Sequence, residues 1–328
     1  MPSIDLHCDT LTSLLPWEDL NHNHLMVSIP KLRKADSLVQ CCAIFVPTGT
    51  YPEQKRDALA HRRYDRVLAS YHRVLRRNEV DIAPVLKYED IEMCRMTGKI
   101  GVLLTVEDGG AIGAELADFQ RAYMQGVRLV TLTWNHPNRI GFPHSPDAAL
   151  MQKGLTPFGI QVIEEMEQLG MIVDVSHLSD GGFWDVVKYT KKPFVASHSN
   201  SRAITGHSRN LSDEMIRCLA DRGGVIGLNY FPGFLCEGKL SRITDMVRHV
   251  LHIRDVGGED VLALGGDFDG IYDNFADKIV GGVTGRMELA GPQDVSKLYN
   301  ALRKAGLSER ELEKMWTGNA LRIFRELL

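Results

Sequence analysis

The chain has 328 residues, long for one average domain but within the range that α/β barrels reach as a single unit. Hydrophobic residues make up 44% and charged residues 24%, with 30 Gly and 13 Pro, which excludes collagen-like, low-complexity and disordered chains and provides for a large core. Lys+Arg 38 against Asp+Glu 42 gives a net charge of -4, so no overall attraction to nucleic acid or to an anionic membrane is expected.

Short β-rich runs alternate with stretches of helical period along the whole chain. Strands are predicted at Ser3 to Leu6, Leu38 to Val46, Ile82 to Leu86, Gly101 to Val106 and Val127 to Leu132, then at Met171 to Val175, Phe194 to Ala196, Gly224 to Leu228 and Val261 to Leu264. Helices are predicted between them: Glu53 to Asn78, Tyr88 to Thr97, Glu115 to Gln125, Thr156 to Leu169, Asp180 to Tyr189, Ser212 to Arg222 and Ser241 to Val256, followed by Pro292 to Ala305 and Ser308 to Leu328. Ser212-Asp213-Glu214 and the spacing of Ser308 from Glu311 are helix-start signals. No Pro/Ser-rich linker divides the chain, so residues 1–328 are expected to form one (β/α)8 TIM barrel. Nine strand candidates leave one as an extra. The segment Asp269 to Pro292 reads as a long surface insertion with the length of a lid or a partner contact.

The six cysteines are sparse and lack CxxC spacing, so neither a disulfide framework nor a Cys-based zinc site is expected, and a reduced, intracellular chain fits. The opening MPSIDLHCDT has no basic region followed by an apolar one, and no apolar run approaches the roughly 20 residues that cross a bilayer. A soluble, unanchored, cytoplasmic protein is expected.

In a barrel the chemistry is built at the C-terminal ends of the strands. His7 and Asp9 follow the first predicted strand, Glu107 the fourth, His177 the sixth, His198 the seventh and Asp267 the last. Each alone has a plain structural reading: Asp9 as a helix cap, Glu107 as part of a polar turn, His177 and His198 as buried hydrogen-bonded histidines. Five strand ends carrying imidazoles and carboxylates would converge only if the barrel closes, and carboxylates crowded at one mouth repel each other unless a dication relieves them. His22, His24, His61, His72, His249 and His252 lie away from strand ends and read as surface or structural residues.

These residues bring a known family into view. The chain resembles the zinc-dependent membrane dipeptidases, also called renal dipeptidases, and their bacterial relatives, nearly end to end. The resemblance rests on Asp5-Leu6-His7-Cys8-Asp9, Val106-Glu107-Asp108-Gly109-Gly110, Leu132-Thr133, Asp174-Val175-Ser176-His177 and Ser197-His198-Ser199. It extends to Arg209-Asn210 and to Gly265-Gly266-Asp267-Phe268-Asp269-Gly270. It implies a (β/α)8 barrel with two zinc ions per chain, one bound by His7 and Asp9, the other by His177 and His198, with Glu107 bridging. It further implies Asp267 as the proton-handling acid, Arg209 as the grip on a substrate carboxylate, a homodimer, and tolerance of a C-terminal D-residue. The reaction so implied is hydrolysis of a dipeptide by a hydroxide shared between the two ions.

The sequence departs from the mammalian pattern where a substrate-contacting histidine follows the Leu-Thr strand end. Trp134 stands there, with His136 two residues on. Either His136 enters the same space, or Trp134 shapes an apolar substrate pocket, or both only support the loop through Phe142. Two other readings stay open: a different amidohydrolase-type amide hydrolysis or deamination, which typically begins with His-x-His instead of His7-x-Asp9, and a barrel that binds metal without turnover.

Overall fold

The computed structural model describes residues 1–238, 240–270 and 286–328. The strands, in chain order, are β1 (Ser3–Asp5), β2 (Ser37–Phe45), β3 (Ile82–Pro84), β4 (Ile100–Glu107), β5 (Val127–Thr131), β6 (Ile172–Asp174), β7 (Val195–Ser199), β8 (Val225–Leu228), β9 (Leu240–Ser241), β10 (Leu262–Leu264) and β11 (Arg286–Met287). Eight of them close into an all-parallel barrel in the order β1-β2-β4-β5-β6-β7-β8-β10, with β10 pairing back onto β1 through Asp5 and Leu264. This is the (β/α)8 architecture that the alternating pattern predicts.

The extra strand candidate is β3. One edge of β4 is taken from Gly101 to Glu107 by β2, while the other is divided, Ile100 to Val102 pairing with β3 and Leu104 to Glu107 with β5. β3 therefore sits beside the lower half of β4, away from the barrel mouth. The two-residue strands β9 and β11 form a separate small parallel sheet that the sequence pattern does not reveal.

Period-two alternation divides the core into two layers. Inward residues such as Ile4, Val39, Leu103, Leu129, Ile172 and Val225 fill the lower barrel, and Ala320, Ile323, Phe324 and Leu327 of the last helix (Asn319–Leu327) pack on them and plug that end. Val102, Leu104 and Val106 belong instead to the outer layer, under the surrounding helices. Ser212 caps its helix by accepting from the Met215 N–H, and Ser308 and Glu311 cap theirs reciprocally, as their spacing predicts. The predicted helix Ser308 to Leu328 is interrupted by a π turn at Lys314–Gly318, and the one predicted from Glu53 starts as a 3-10 turn before Arg56–Arg77. Most of the insertion Asp269 to Pro292 lies outside the described residues. None of the described helices is long and apolar enough to cross a membrane.

Candidate active site

The upper ends of the barrel strands carry the polar residues. After β1 the strict alternation breaks, because Ile4 and Leu6 point inward and yet His7 and Asp9 also enter the mouth, while Cys8 turns outward, its Sγ 3.6 Å from that of Cys42. Asp5, buried one turn below, accepts from the His7 N–H at 3.0 Å and from the Gly266 N–H at 3.1 Å, tying the segment that holds His7 to the one that holds Asp267. Glu107 is the last residue of β4. His198 lies inside β7, not after it as predicted: three steps along β7, Ala196 to Ser199, face two along β8, Ile226 to Leu228. That extra residue is a bulge, the device that re-aims a side chain at a strand end.

His177 and Asp267 both adopt left-handed backbone, φ 66° and 56°, a conformation that costs a non-glycine residue about 1–3 kcal/mol and concentrates at functional sites. Gly227 and Gly265 stand where a Cβ would meet the Ser197 carbonyl at 1.9 Å, so only glycine lets β7, β8 and the Asp267 turn approach this closely.

Within the mouth, Glu107 faces two ways. Its Oε1 lies 3.1 Å from His177 Nε2 and 3.5 Å from His198 Nε2, and its Oε2 lies 3.6 Å from His7 Nε2. His7 Nε2 is also 3.4 Å from Asp9 Oδ2 and 3.7 Å from Asp267 Oδ1. His7–Asp9–Glu107, Glu107–His177–His198 and His7–His198–Asp267 are each sets of potential ligand atoms lying within 4.8 Å of one another.

The histidine tautomers are fixed from behind. His177 Nδ1 donates to Asn135 Oδ1 at 2.9 Å, and His198 Nδ1 donates to Ser197 Oγ at 2.7 Å, which in turn donates to Asp174 Oδ2 at 2.5 Å. Both Nε2 lone pairs then point into the mouth, 3.1 Å apart. Two facing lone pairs repel unless a cation or proton lies between them. His7 Nδ1 and Nε2 and Asp9 Oδ1 are buried without a hydrogen-bond partner. Orphaned imidazole and carboxylate atoms converging on one space are a donor set that suits divalent metal ions.

Electrostatics point the same way. Burial, reinforced by Asp9, pushes the Glu107 carboxyl up to about 8. Burial also raises Asp267 to about 6, with His7, Asn229 and Arg209 pulling it back and Asp9 adding to the rise. Burial opposes charge on His7, yet the Asp9 and Glu107 carboxylates hold its pKa well above the ordinary value. His177 and His198 are held well below theirs, by burial first and then by the neighbouring cations. A cluster that has to hold protons to offset its own charge is one that cations can occupy by displacing them.

Arg209 is 3% exposed, a buried residue and not a surface neighbour of the next helix. Its guanidinium donates to Ser199 Oγ at 2.7 Å and to the His198 carbonyl at 2.8 Å, while Nε has no partner. Trp134 is buried with its ring 6.3 Å from that of His177 and 5.0 Å from Phe45. His136 lies behind it, 6.0 Å from the Trp134 ring and packed on Gly49, where an added Cβ would land 2.1 Å from its own. The Trp134 ring thus packs beside that of His177, while the contacts of His136 are with Trp134 and Gly49. Five participants escaped the strand-end reading: Asp174, Ser197, Asn135, which accepts from His177 Nδ1, Asn229, which donates to Asp267 Oδ2 at 2.9 Å, and His144, whose ring lies 6.1 Å from that of His177. Asp174 and Ser197 stand inside quoted motifs, so their inward positions were the available signal; nothing marked His144.

An eight-stranded parallel barrel whose mouth holds three histidines and three carboxylates with uncommitted ligand atoms defines a metal-dependent hydrolase class. Residues 1–327 match the membrane dipeptidase family, peptidase family M19, and the chain belongs to it. It is a metallopeptidase with the dipeptidase activity of that family. It is 36% identical over 252 residues to an uncharacterized protein in the pqqA 5' region of Klebsiella pneumoniae, covering 74% of this chain and 88% of that one. It is 33% identical over 239 residues to an uncharacterized dipeptidase of Schizosaccharomyces pombe, covering 71% of this chain and 54% of that protein. In fold it is similar to a Rhodobacter sphaeroides metallopeptidase solved with a phosphinate mimic of the dipeptide L-Ala-D-Ala, with TM-score 0.84, 23% identity, and coverage of 100% of this chain and 99% of that one.

Proposed function

We propose that residues 1–328 act as one catalytic domain, a dinuclear zinc dipeptidase in which His7 and Asp9 hold one ion, His177 and His198 the other, and Glu107 both. The observation that carries this reading is Glu107, whose two carboxylate oxygens face separate histidine sets. When bound, two such ions supply Lewis acidity, acidifying water and polarising a peptide carbonyl.

The chain's own residues do the rest. Arg209, charged and with Nε uncommitted, binds the C-terminal carboxylate and so selects very short peptides. Asn229 fixes one oxygen of Asp267 and leaves Oδ1 facing His7. Asp267 takes a proton from the attacking water and gives it to the departing amine as the C–N bond breaks. Trp134 closes the wall beside His177 and excludes bulk water, with His136 behind it. Tolerance of a C-terminal D-residue is supported by the L-Ala-D-Ala mimic bound to the Rhodobacter sphaeroides relative. A cytoplasmic homodimer is the expected state.

The test is elemental analysis of chelator-treated and zinc-reloaded protein, with amine release followed on L,L and L,D dipeptides and on the same dipeptides as C-terminal amides. Two zinc per chain, metal-dependent release and poor cleavage of the amides are expected. Asp267→Asn is expected to keep both ions and lose about 10²–10⁴-fold in kcat. Two bound zinc without release from any dipeptide would overturn the reading in favour of another amide substrate or a binding role.

A further inference from the structure

Beside the ligand cluster lies a cavity of about 530 Å³, within the range of ligand pockets. Its walls are the loop after β5, including Phe142, Pro146 and Leu150, and the opposing Phe234 and His207. No Asp, Glu, Lys or Arg is among the described residues that line it. The loop is tied to the segment that carries His177: Pro143 bridges to Leu178, and the His144 N–H donates to the His177 carbonyl at 2.7 Å.

Two contacts fix the cavity's place relative to the chemistry. Asn135 lines it and accepts from His177 Nδ1, so one wall is continuous with the support of a ligand residue. Phe234 lines it from the other side, with the Arg209 guanidinium 5.5 Å from its ring centroid. A carboxylate gripped by Arg209 belongs to the C-terminal residue of a dipeptide, and the Cα of that residue is one bond from the carboxylate. Its side chain is therefore the part of the substrate that starts nearest Phe234.

We propose that this cavity is the side-chain pocket for the C-terminal residue of the substrate and that it selects large apolar or aromatic side chains, a specificity that rests on the dipeptidase reading above. Desolvating an apolar side chain against Phe142, Leu150 and Phe234 is favourable, whereas a charged one would be buried with no counter-charge on the lining. Glycine or alanine would leave most of the volume unfilled.

The test compares kcat/KM for dipeptides with a common N-terminal residue and Gly, Phe or Lys at the C-terminus, in the wild-type protein and in Leu150→Asp. Leu150 is 39% exposed, so the substitution is tolerated by the fold. Wild-type protein is expected to prefer Phe over Gly by at least about tenfold. Leu150→Asp is expected to lose that preference, to gain on the Lys substrate and to leave the Gly substrate within about twofold. A folding defect would lower all three together. Flat dependence on the C-terminal side chain, or a Leu150→Asp effect that instead follows the N-terminal side chain, would overturn the pocket assignment while leaving the dipeptidase reading intact. If no dipeptide is cleaved, that reading fails. The pocket is then judged by calorimetric titration with free phenylalanine and lysine: tighter phenylalanine binding that Leu150→Asp reverses supports it, and equal binding overturns it.

Discussion

At the scale of single residues, the site depends on groups that touch no substrate. Ser197 accepts from His198 Nδ1 and donates to Asp174 Oδ2, and the same carboxylate accepts from the Ser176 and Ser197 N–H groups at 3.0 and 2.8 Å. This relay sets the tautomer and ring angle of His198. Such supporting contacts are each worth about 10–100-fold in metal affinity. Ser197→Ala is accordingly expected to weaken metal binding by that factor, measured by competition with a chromogenic chelator, with the thermal stability of the metal-free protein little changed. Unaltered affinity would show that the bulge in β7 alone orients His198. The imidazoles and carboxylates that meet at the mouth were legible in the sequence because each follows an apolar run: His7, Asp9, Glu107, His177 and Asp267 stand where strand ends are expected. Their support was legible only in part: Asp174 and Ser197 stand inward within the motifs, whereas Asn135 acquires meaning only from what lies across the barrel.

At the scale of elements, the βα alternation was legible because inward and outward positions both need apolar residues in a parallel sheet, which leaves near-continuous runs such as Leu38 to Val46, broken only by Gln40. Two features were hidden by pairing rules that the sequence does not encode locally. β3 is a strand by composition, and only the division of the β4 edge between β3 and β5 leaves it outside the barrel. The bulge that carries His198 is a register shift between β7 and β8, with no marker residue of its own. The last helix reads as amphipathic in the sequence, yet what its apolar face meets, the lower barrel layer, follows only from closure. Phe324 is fully buried there against inward residues of the strands. Phe324→Ala is expected to destabilise the protein by about 3–5 kcal/mol, measured by denaturant unfolding, with zinc stoichiometry unchanged because the plug and the ligand cluster occupy opposite ends of the barrel. A loss below about 1 kcal/mol would mean that the helix seals the barrel by other contacts.

For the whole molecule, the crowding of charge at the mouth couples stability to both pH and metal. In the metal-free fold, Glu107 is pushed up to about 8 by burial and by Asp9, and His7 is raised well above 6.5 once Asp9 and Glu107 overcome its burial. Both groups therefore hold protons in the fold that the unfolded chain releases at lower pH, so their contribution is present at low pH and is lost as pH rises through the folded pKa values. Asp267 acts in the same direction, but its window closes near 6. His177 and His198, together with His136, His144, His207 and His249, act in the opposite direction, because burial depresses their folded pKa values; their effect fades only as the unfolded imidazole, half titrated at about 6.5, completes its titration by about pH 7.5. Arg209, lowered to about 10, stays charged throughout. From about pH 7.5 to 8.5 the raised groups Glu107 and His7 dominate, and the metal-free protein is expected to lose thermal stability as pH rises. Zinc-loaded protein is expected to show the reverse or no slope, since ligands must shed protons to bind metal and affinity rises as they do. At free zinc 100-fold above Kd the gain from binding is about 2.7 kcal/mol, and the gap in Tm between the two forms should widen steadily across that window. Calorimetric scans of both forms at about pH 7.5, 8 and 8.5 test this directly. Parallel Tm curves would mean that the metal-free mouth is relieved of its charge by rearrangement and not by protons, so that the arrangement of His7, Asp9 and Glu107 forms only when metal is bound.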